Sequence, residues 1–160
     1  MKPARLLVLG ALGAAALAAA ALWPVPVLIV TAAPPSRVLV RMPLRGPVEV
    51  RLEYVHSVER TPVVETYRAD PRGLRLVQME FAAQGAGLPS TGFVREGNRF
   101  VLRTDQPLTV LPVRVSGVGR QRLRVGPDAF DLLAVTGEGG IVTVAVRSAP
   151  RLPLLRGMLY

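Results

Sequence analysis

The stretch "VEVRLEYVHSVERTPVVETY", from Val48 to Tyr67, alternates apolar and polar residues in two runs that a short polar break separates. Successive side chains of a β-strand point to opposite faces of the sheet, so this alternation is typical of strands with one buried face. It predicts strands over Val48 to Val58 and Val63 to Arg68, joined by a hairpin loop at Ser57 to Pro62. The stretch therefore indicates an antiparallel pair as the start of the fold.

Short β-branched runs separated by Gly, Pro, Asn and Asp continue through the rest of the chain from Pro26 onward. Helical periodicity is hard to find there, and turn residues that accept positive φ recur between the runs. We predict an all-β fold: a single antiparallel β-sandwich or partly closed barrel of about ten short strands, preceded by an N-terminal hydrophobic helix. Hairpins are predicted at Glu96-Gly97-Asn98, Gly126-Pro127-Asp128 and Gly137-Glu138-Gly139-Gly140. The other predicted strands are Val27 to Thr31, Arg37 to Arg41, Leu74 to Phe81, Gly92 to Arg95, Arg99 to Arg103, Leu108 to Val115, Gln121 to Val125, Phe130 to Val135 and Ile141 to Arg147.

Both ends of the chain are apolar. Lys2 and Arg5 precede an apolar run from Leu6 to Leu22, which Trp23 closes. This pattern indicates a signal peptide or a signal-anchor helix over residues 1–24, and the positive-inside rule then places residues 25–160 outside the cytoplasm. We expect a membrane-anchored or secreted domain on the extracytoplasmic (periplasmic) side. The C-terminal segment after the last predicted strand either packs back on this domain or docks on a membrane partner.

The composition excludes several classes of site. There is no cysteine, which excludes disulfides, thiolate metal ligands and cysteine nucleophiles. The formal net charge is +9, but no aromatic stacking set lies near the arginines, so nucleic acid is not an expected partner. Arg120, Arg122 and Arg124 are predicted on one face of a strand. We interpret this cationic stripe as a solvated outer face or as a contact with anionic lipid headgroups.

A polar cluster surrounds the only histidine, His56, which alternation places on the apolar face of its strand beside Tyr54. Pairing across the hairpin brings Glu65 and Tyr67 to the same face, and this predicts a buried His56–Glu65 pair capped by two phenols. An unpaired carboxylate there would cost several kcal/mol. The cluster, with Glu59 beside it in the loop, is therefore a satisfied core network or a binding site.

Catalysis and metal binding have little support in these residues. His56 and Ser57 are adjacent on a strand and point to opposite faces, so they form no Ser–His dyad. A metal would find one histidine and otherwise only carboxylates, without the paired ligand spacing of zinc enzymes. We predict no catalytic residue, no metal and no cofactor. The alternative is a hydrolase or metal-dependent enzyme centred on His56 and Glu65.

A motif in two parts resembles the DUF1850 family of domains of unknown function. The first part is His56-Ser57-Val58-Glu59, followed by Thr61-Pro62-Val63 and Glu65, and the second part is Phe81, followed by Gly85-Ala86-Gly87-Leu88-Pro89. The glycines of the second part indicate a loop. This loop either packs closely against the end of the His56 strand or binds an anion through its backbone N–H groups.

The resemblance implies a role beside a transporter. Members of this family are often associated with TAXI-type tripartite ATP-independent (TRAP) transporter systems, and the family brings no catalytic residues with it. The resemblance thus implies an exported, non-enzymatic accessory protein of solute uptake. Its expected partner is a TRAP transporter permease, a solute-binding protein or a solute.

Overall fold

A computed structural model describes Ala19 and residues 21–151, so most of the predicted segment at residues 1–24 lies outside the described residues. The described part contains eleven strands and one complete short helix, and Ala19, Ala21 and Leu22 are also helical. No helix within it is long and apolar enough to cross a membrane. In chain order the elements are β1 (Pro24–Ala33), β2 (Arg37–Pro43), β3 (Val48–Val55), β4 (Pro62–Asp70), β5 (Gly73–Phe81), β6 (Phe93–Glu96), β7 (Arg99–Leu108), β8 (Leu111–Arg114), β9 (Arg122–Val125), β10 (Asp128–Asp131), α1 (Leu132–Thr136) and β11 (Ile141–Pro150).

The strands form two antiparallel sheets, and the all-β prediction is confirmed. One sheet has four strands in the order β2-β1-β11-β8, and the other has seven in the order β10-β9-β3-β4-β5-β7-β6. The described strands therefore pack as two separate layers and do not close into a barrel. Both layers contribute to one apolar core, which includes Val30 of β1, Leu52 of β3 and Val144 of β11. Burial of one face of each sheet is what the alternation of the sequence requires.

The stretch from Val48 to Tyr67 forms the β3–β4 hairpin, and its side chains lie on the faces that the alternation predicts. Leu52 lies opposite Glu65, and Tyr54 lies opposite Val63. Leu52 is 4% exposed, whereas its neighbour Glu53 faces outward, where its Oε1 lies 3.3 Å from Nε of Arg51 in an ion pair. The alternation of apolar and polar residues in the sequence therefore gives β3 one buried face and one charged face.

Of the three other predicted hairpins, two are confirmed. Gly97 (φ 63°) turns the chain between β6 and β7, and Gly126 (φ 55°) turns it between β9 and β10. The hairpin predicted at residues 137–140 is wrong, because these residues connect α1 to β11 in the other sheet. In both confirmed hairpins the glycine supplies the positive φ that a two-residue turn needs.

The strand predicted over Phe130 to Val135 is wrong beyond Asp131, where α1 begins. The Asp131 carboxylate accepts hydrogen bonds from the N–H groups of Leu133 (3.0 Å) and Ala134 (3.2 Å), and so caps the helix. Gly137 ends it with φ 78°. These two caps outweigh the β-branched residues of the segment.

Strand β3 separates two ends of the domain. Val48, its first residue, lines a groove together with Val25 near the start of β1, and Val55, its last residue, precedes His56. With a rise of about 3.3 Å per residue, the two ends of β3 lie about 23 Å apart. The point where the chain enters β1 and the motif hairpin are therefore at opposite ends of the domain.

Candidate functional site

The β3–β4 hairpin ends in a tight turn that begins at His56. The ladder closes with Val55 opposite Pro62, after which the His56 N–H donates to the Thr61 carbonyl at 2.8 Å. The Arg60 N–H then donates to the His56 carbonyl at 3.0 Å, and Arg60 has a φ of 56°. The strand predicted as far as Val58 is therefore too long by three residues, because the chain leaves extended geometry at His56.

His56 is buried, at 8% exposure, and both of its ring nitrogens are occupied. Nδ1 accepts a hydrogen bond from the Glu59 N–H at 3.1 Å, and Nε2 lies 3.0 Å from the carbonyl oxygen of Ala86. Since Nδ1 accepts, the proton belongs on Nε2, which donates it to that carbonyl. The predicted pair between His56 and Glu65 is wrong: the histidine joins the hairpin to a loop instead.

The second part of the motif forms that loop, and it packs on the first part. A Cβ atom placed on Gly85 would stand 2.5 Å from Cγ of Glu59, so only glycine allows this approach. The loop turns back at once, because the Leu88 N–H donates to the Gly85 carbonyl at 3.1 Å, and Gly87 has a φ of 84°. Of the two interpretations of the loop, its contacts support close packing against the His56 strand end.

An aromatic trio holds the two ends of the same loop. Residues 82–92 connect Phe81 to Phe93, whose ring centroids are 5.4 Å apart in an edge-on arrangement. Phe100 completes the trio at 5.5 Å from Phe81 and 5.0 Å from Phe93. Edge-on pairs of this kind add about 0.5–1.5 kcal/mol beyond their burial. The loop is thus fixed at its base by aromatic rings and at its middle by His56.

Glu65 forms a second polar group with the two tyrosines. The Tyr54 hydroxyl donates to Oε1 of Glu65 at 2.9 Å, and the Tyr67 hydroxyl donates to Oε2. Burial, and after it the charge of Glu65, raises the pKa of both tyrosines above their ordinary value. Alternation predicted that these three side chains share a face, and this is confirmed. The Glu65 carboxylate accepts its hydrogen bonds from the two tyrosine hydroxyls rather than from His56.

Both parts of the motif lie within a family match. The sequence model of a domain of unknown function, DUF1850, matches residues 50–132, which is more than half of the chain. The chain belongs to the DUF1850 family. The DUF1850 match covers the seven-stranded sheet apart from the first two residues of β3, and β8 alone from the other sheet. No curated protein and no solved structure matches the chain at a significant level.

Two of the three arginines of the cationic stripe lie on one strand of the DUF1850 domain. Arg122 and Arg124 lie on the outer face of β9, and Arg124 pairs with Glu53 at 3.5 Å. Arg120 instead lies in the turn before β9 with a φ of 45°, so its predicted place on the strand is wrong. Gly119, next to it, accepts a hydrogen bond from the Val55 N–H at 2.7 Å. This turn therefore lies beside the motif hairpin.

Sequence reasoning missed the residues that complete the site. It did not identify the Ala86 carbonyl as the partner of His56, nor the pairing of Phe93 and Phe100 with Phe81. Alternation along β5 and β7 could have placed Phe81 and Phe100 on one face, since they lie directly opposite each other. Within the described residues, no three acidic or histidine side chains are grouped so that they could hold a metal ion.

Proposed function

We propose that the chain is a non-enzymatic, exported accessory protein of a TAXI-type TRAP uptake system. In this proposal an N-terminal hydrophobic helix anchors a periplasmic β-sandwich, and the end that carries the motif hairpin binds a transporter component or its solute. The support comes from the N-terminal sequence pattern, the membership of the DUF1850 family and the geometry of the hairpin.

The observation that carries the proposal is the complete internal bonding of the motif residues. Both nitrogens of His56 are hydrogen bonded within the domain, and the carboxylate of Glu65 receives two hydroxyl groups. A general base must instead present a free nitrogen or oxygen to its substrate. These side chains are therefore better suited to holding a loop and a hairpin in one shape than to catalysis.

The hairpin that they hold presents an apolar tip within a cationic surface. Val58 is 68% exposed at the tip, and its neighbour Arg60 is also exposed. Arg120 and Arg122 lie nearby on a cleft of about 390 Å³ that also includes Pro62. None of these three arginines has an ion pair within 4.0 Å among the described residues. The cleft also contains Glu53 and Asp131, so its arginines are not the only charges there. An exposed apolar group beside unpaired charges of one sign is typical of surfaces that bind a partner of complementary charge.

Co-purification tests the proposal. The full chain, extracted from membranes in mild detergent, is expected to recover a transporter subunit. Val58→Asp should reduce that recovery about tenfold or more, because it places a charge at the apolar contact. Val38→Asp is the matched control: Val38 is 57% exposed on β2, in the four-stranded sheet that does not carry the hairpin, and its variant should recover the subunit as the parent does.

Three results would contradict the proposal. One is repeated purification of the parent chain without any transporter subunit, which would remove the partner. An equal loss in both variants would show that Val58 is not a specific contact. A catalytic turnover that disappears in a folded His56→Ala variant would favour the enzyme alternative.

A further inference from the structure

A groove of about 1000 Å³ opens at the end of the domain where β1 begins. Val25, Pro26 and Met42 line it from the four-stranded sheet, and Val48 lines it from the seven-stranded sheet. Leu44, which is 4% exposed, belongs both to the groove and to the main core cluster. The groove is therefore an opening between the two layers, and an apolar occupant would extend the core.

The chain itself leads into this groove. Strand β11 ends at Pro150, which pairs with Pro24, and the next residue, Arg151, lines the groove. Nine residues follow in the sequence, Leu152-Pro153-Leu154-Leu155-Arg156-Gly157-Met158-Leu159-Tyr160, and only one of them carries a charged side chain. We propose that this segment, Leu152 to Tyr160, occupies the groove.

The chemistry of the walls favours this occupant over a polar ligand. Pro26, Pro43 and Pro47 have no N–H group to donate, and the charged side chains on the rim, Arg45 and Arg151, are both cationic. Sites for small polar ligands need placed donors and acceptors of both kinds. Apolar side chains need only area removed from water, which these walls offer.

Covalent attachment favours the C-terminal segment over other apolar occupants. A segment joined directly to the groove has an effective concentration on the order of millimolar, which a free peptide or lipid seldom reaches. The N-terminal side of β1 is less well placed, because Leu22 and Trp23 are 64% and 68% exposed and neither lines the groove. The proposal is independent of the transporter role, since it concerns the opposite end of β3.

Cysteine cross-linking of the full chain tests the proposal, and the absence of native cysteines makes it clean. Met42→Cys is combined in turn with Leu152→Cys, Leu154→Cys, Leu155→Cys and Met158→Cys, and each pair is oxidised mildly. At least one pair is expected to form an intramolecular disulfide about tenfold faster than the control pairs. The controls join the same tail cysteines to Val94→Cys, which lies on β6 at an edge of the seven-stranded sheet.

Each other outcome counts against the proposal. Disulfide-linked dimers would assign the groove to a second copy of the chain. Equal rates for the Met42→Cys and Val94→Cys pairs would leave the groove to a lipid or another partner. A second measurement avoids cysteine: the double variant Leu154→Asp/Leu155→Asp is expected to lower the Tm by about 5–10 °C, whereas Val94→Asp should not. An unchanged Tm in the double variant would overturn the proposal.

Discussion

Raising the pH above about 10 is expected to destabilise the domain, because the fold holds two tyrosines in their protonated form. Tyr54 and Tyr67 both donate to Glu65, and burial followed by the charge of Glu65 raises the pKa of each hydroxyl. In the unfolded chain both hydroxyls ionise near their ordinary pKa of about 10. Above that pH the unfolded state has lost protons that the folded state retains, so unfolding becomes more favourable.

The size of the effect follows from proton linkage. A pKa raised by folding contributes stability that is fully present below the unfolded pKa and is lost as the pH rises toward the folded pKa. Each tyrosine in this condition lowers the free energy of unfolding by about 1.4 kcal/mol per pH unit. Tyr67 is 3% exposed and should show this slope in full, whereas the more exposed Tyr54 is screened by solvent and adds less. Two pH units then remove about 3–5 kcal/mol, a large part of the stability of an ordinary domain.

The sequence provides a clear window for the assay. Nineteen of the twenty basic residues are arginines, which stay protonated, and Lys2 is the only lysine. Urea unfolding of the parent, measured at intervals from about pH 8 to about pH 12, gives the slope of stability against pH. Tyr67→Phe should flatten that slope by about 1.4 kcal/mol per pH unit, and Tyr54→Phe should flatten it by less.

The reasoning would be refuted by either of two results. One is a slope in Tyr67→Phe that equals the slope of the parent. The other is the appearance of tyrosinate absorbance from Tyr54 and Tyr67 near pH 10 while the protein is still folded, because the hydrogen bonds to Glu65 would then not hold the protons.

Four further changes probe the motif and the acid side. Gly85→Ala should cost about 1–3 kcal/mol in urea unfolding, because its Cβ would stand 2.5 Å from Cγ of Glu59; adding Glu59→Ala should recover most of the loss, and strict additivity would contradict the contact. His56→Ala should cost about 1–3 kcal/mol and speed hydrogen exchange in the glycine loop, since it leaves a part-buried amide and a carbonyl unpaired; unchanged exchange would disprove this link. Glu65→Ala should cost about 2–4 kcal/mol and Glu65→Gln less, because the amide oxygen still accepts one hydroxyl; thermal melts compare the two. The Arg72 N–H donates a hydrogen bond to the Asp70 carboxylate, and this bond, followed by the nearby arginines, lowers the pKa of Asp70. The contribution of Asp70 to the free energy of unfolding is therefore present above about pH 4 and lost below it. Asp70→Asn should reduce the loss of stability at acid pH, and an unchanged loss would contradict this.

The face shared by Tyr54, Glu65 and Tyr67 could be predicted because the period of a strand is set by its backbone and does not depend on its neighbours. The partner of His56 could not. It is a backbone carbonyl 30 residues away, and because every residue has such a carbonyl, the residue type does not indicate which one accepts the bond. The geometry also depends on where β3 stops, and strand ends are the least certain part of any pattern.

The helix after Asp131 shows a different kind of error. Its signals are present in the sequence, as Asp131 before the apolar run and Gly137 after it, but the predicted strand runs from Phe130 to Val135, across the start of the helix. A cap at each end, the Asp131 side chain at the start and the Gly137 backbone at the end, decides the conformation of a segment this short. In the cationic stripe, the positive φ of Arg120 is set by the turn that packs beside Val55, which no property of arginine indicates.

The pairing of β1 with β11 has a consequence for how the protein is made. The two strands are the first and last of the described chain, and they pair along ten residues, from Pro24 opposite Pro150 to Ala33 opposite Ile141. Contacts between such distant residues form slowly, and a chain delivered from its N-terminus exposes β1 long before β11 arrives. During that interval β1 lacks the neighbour that covers one of its edges, and open edges invite pairing with other chains. The four-stranded sheet is therefore completed only after synthesis has passed Pro150, and until then one edge of β1 is open to pairing with other chains.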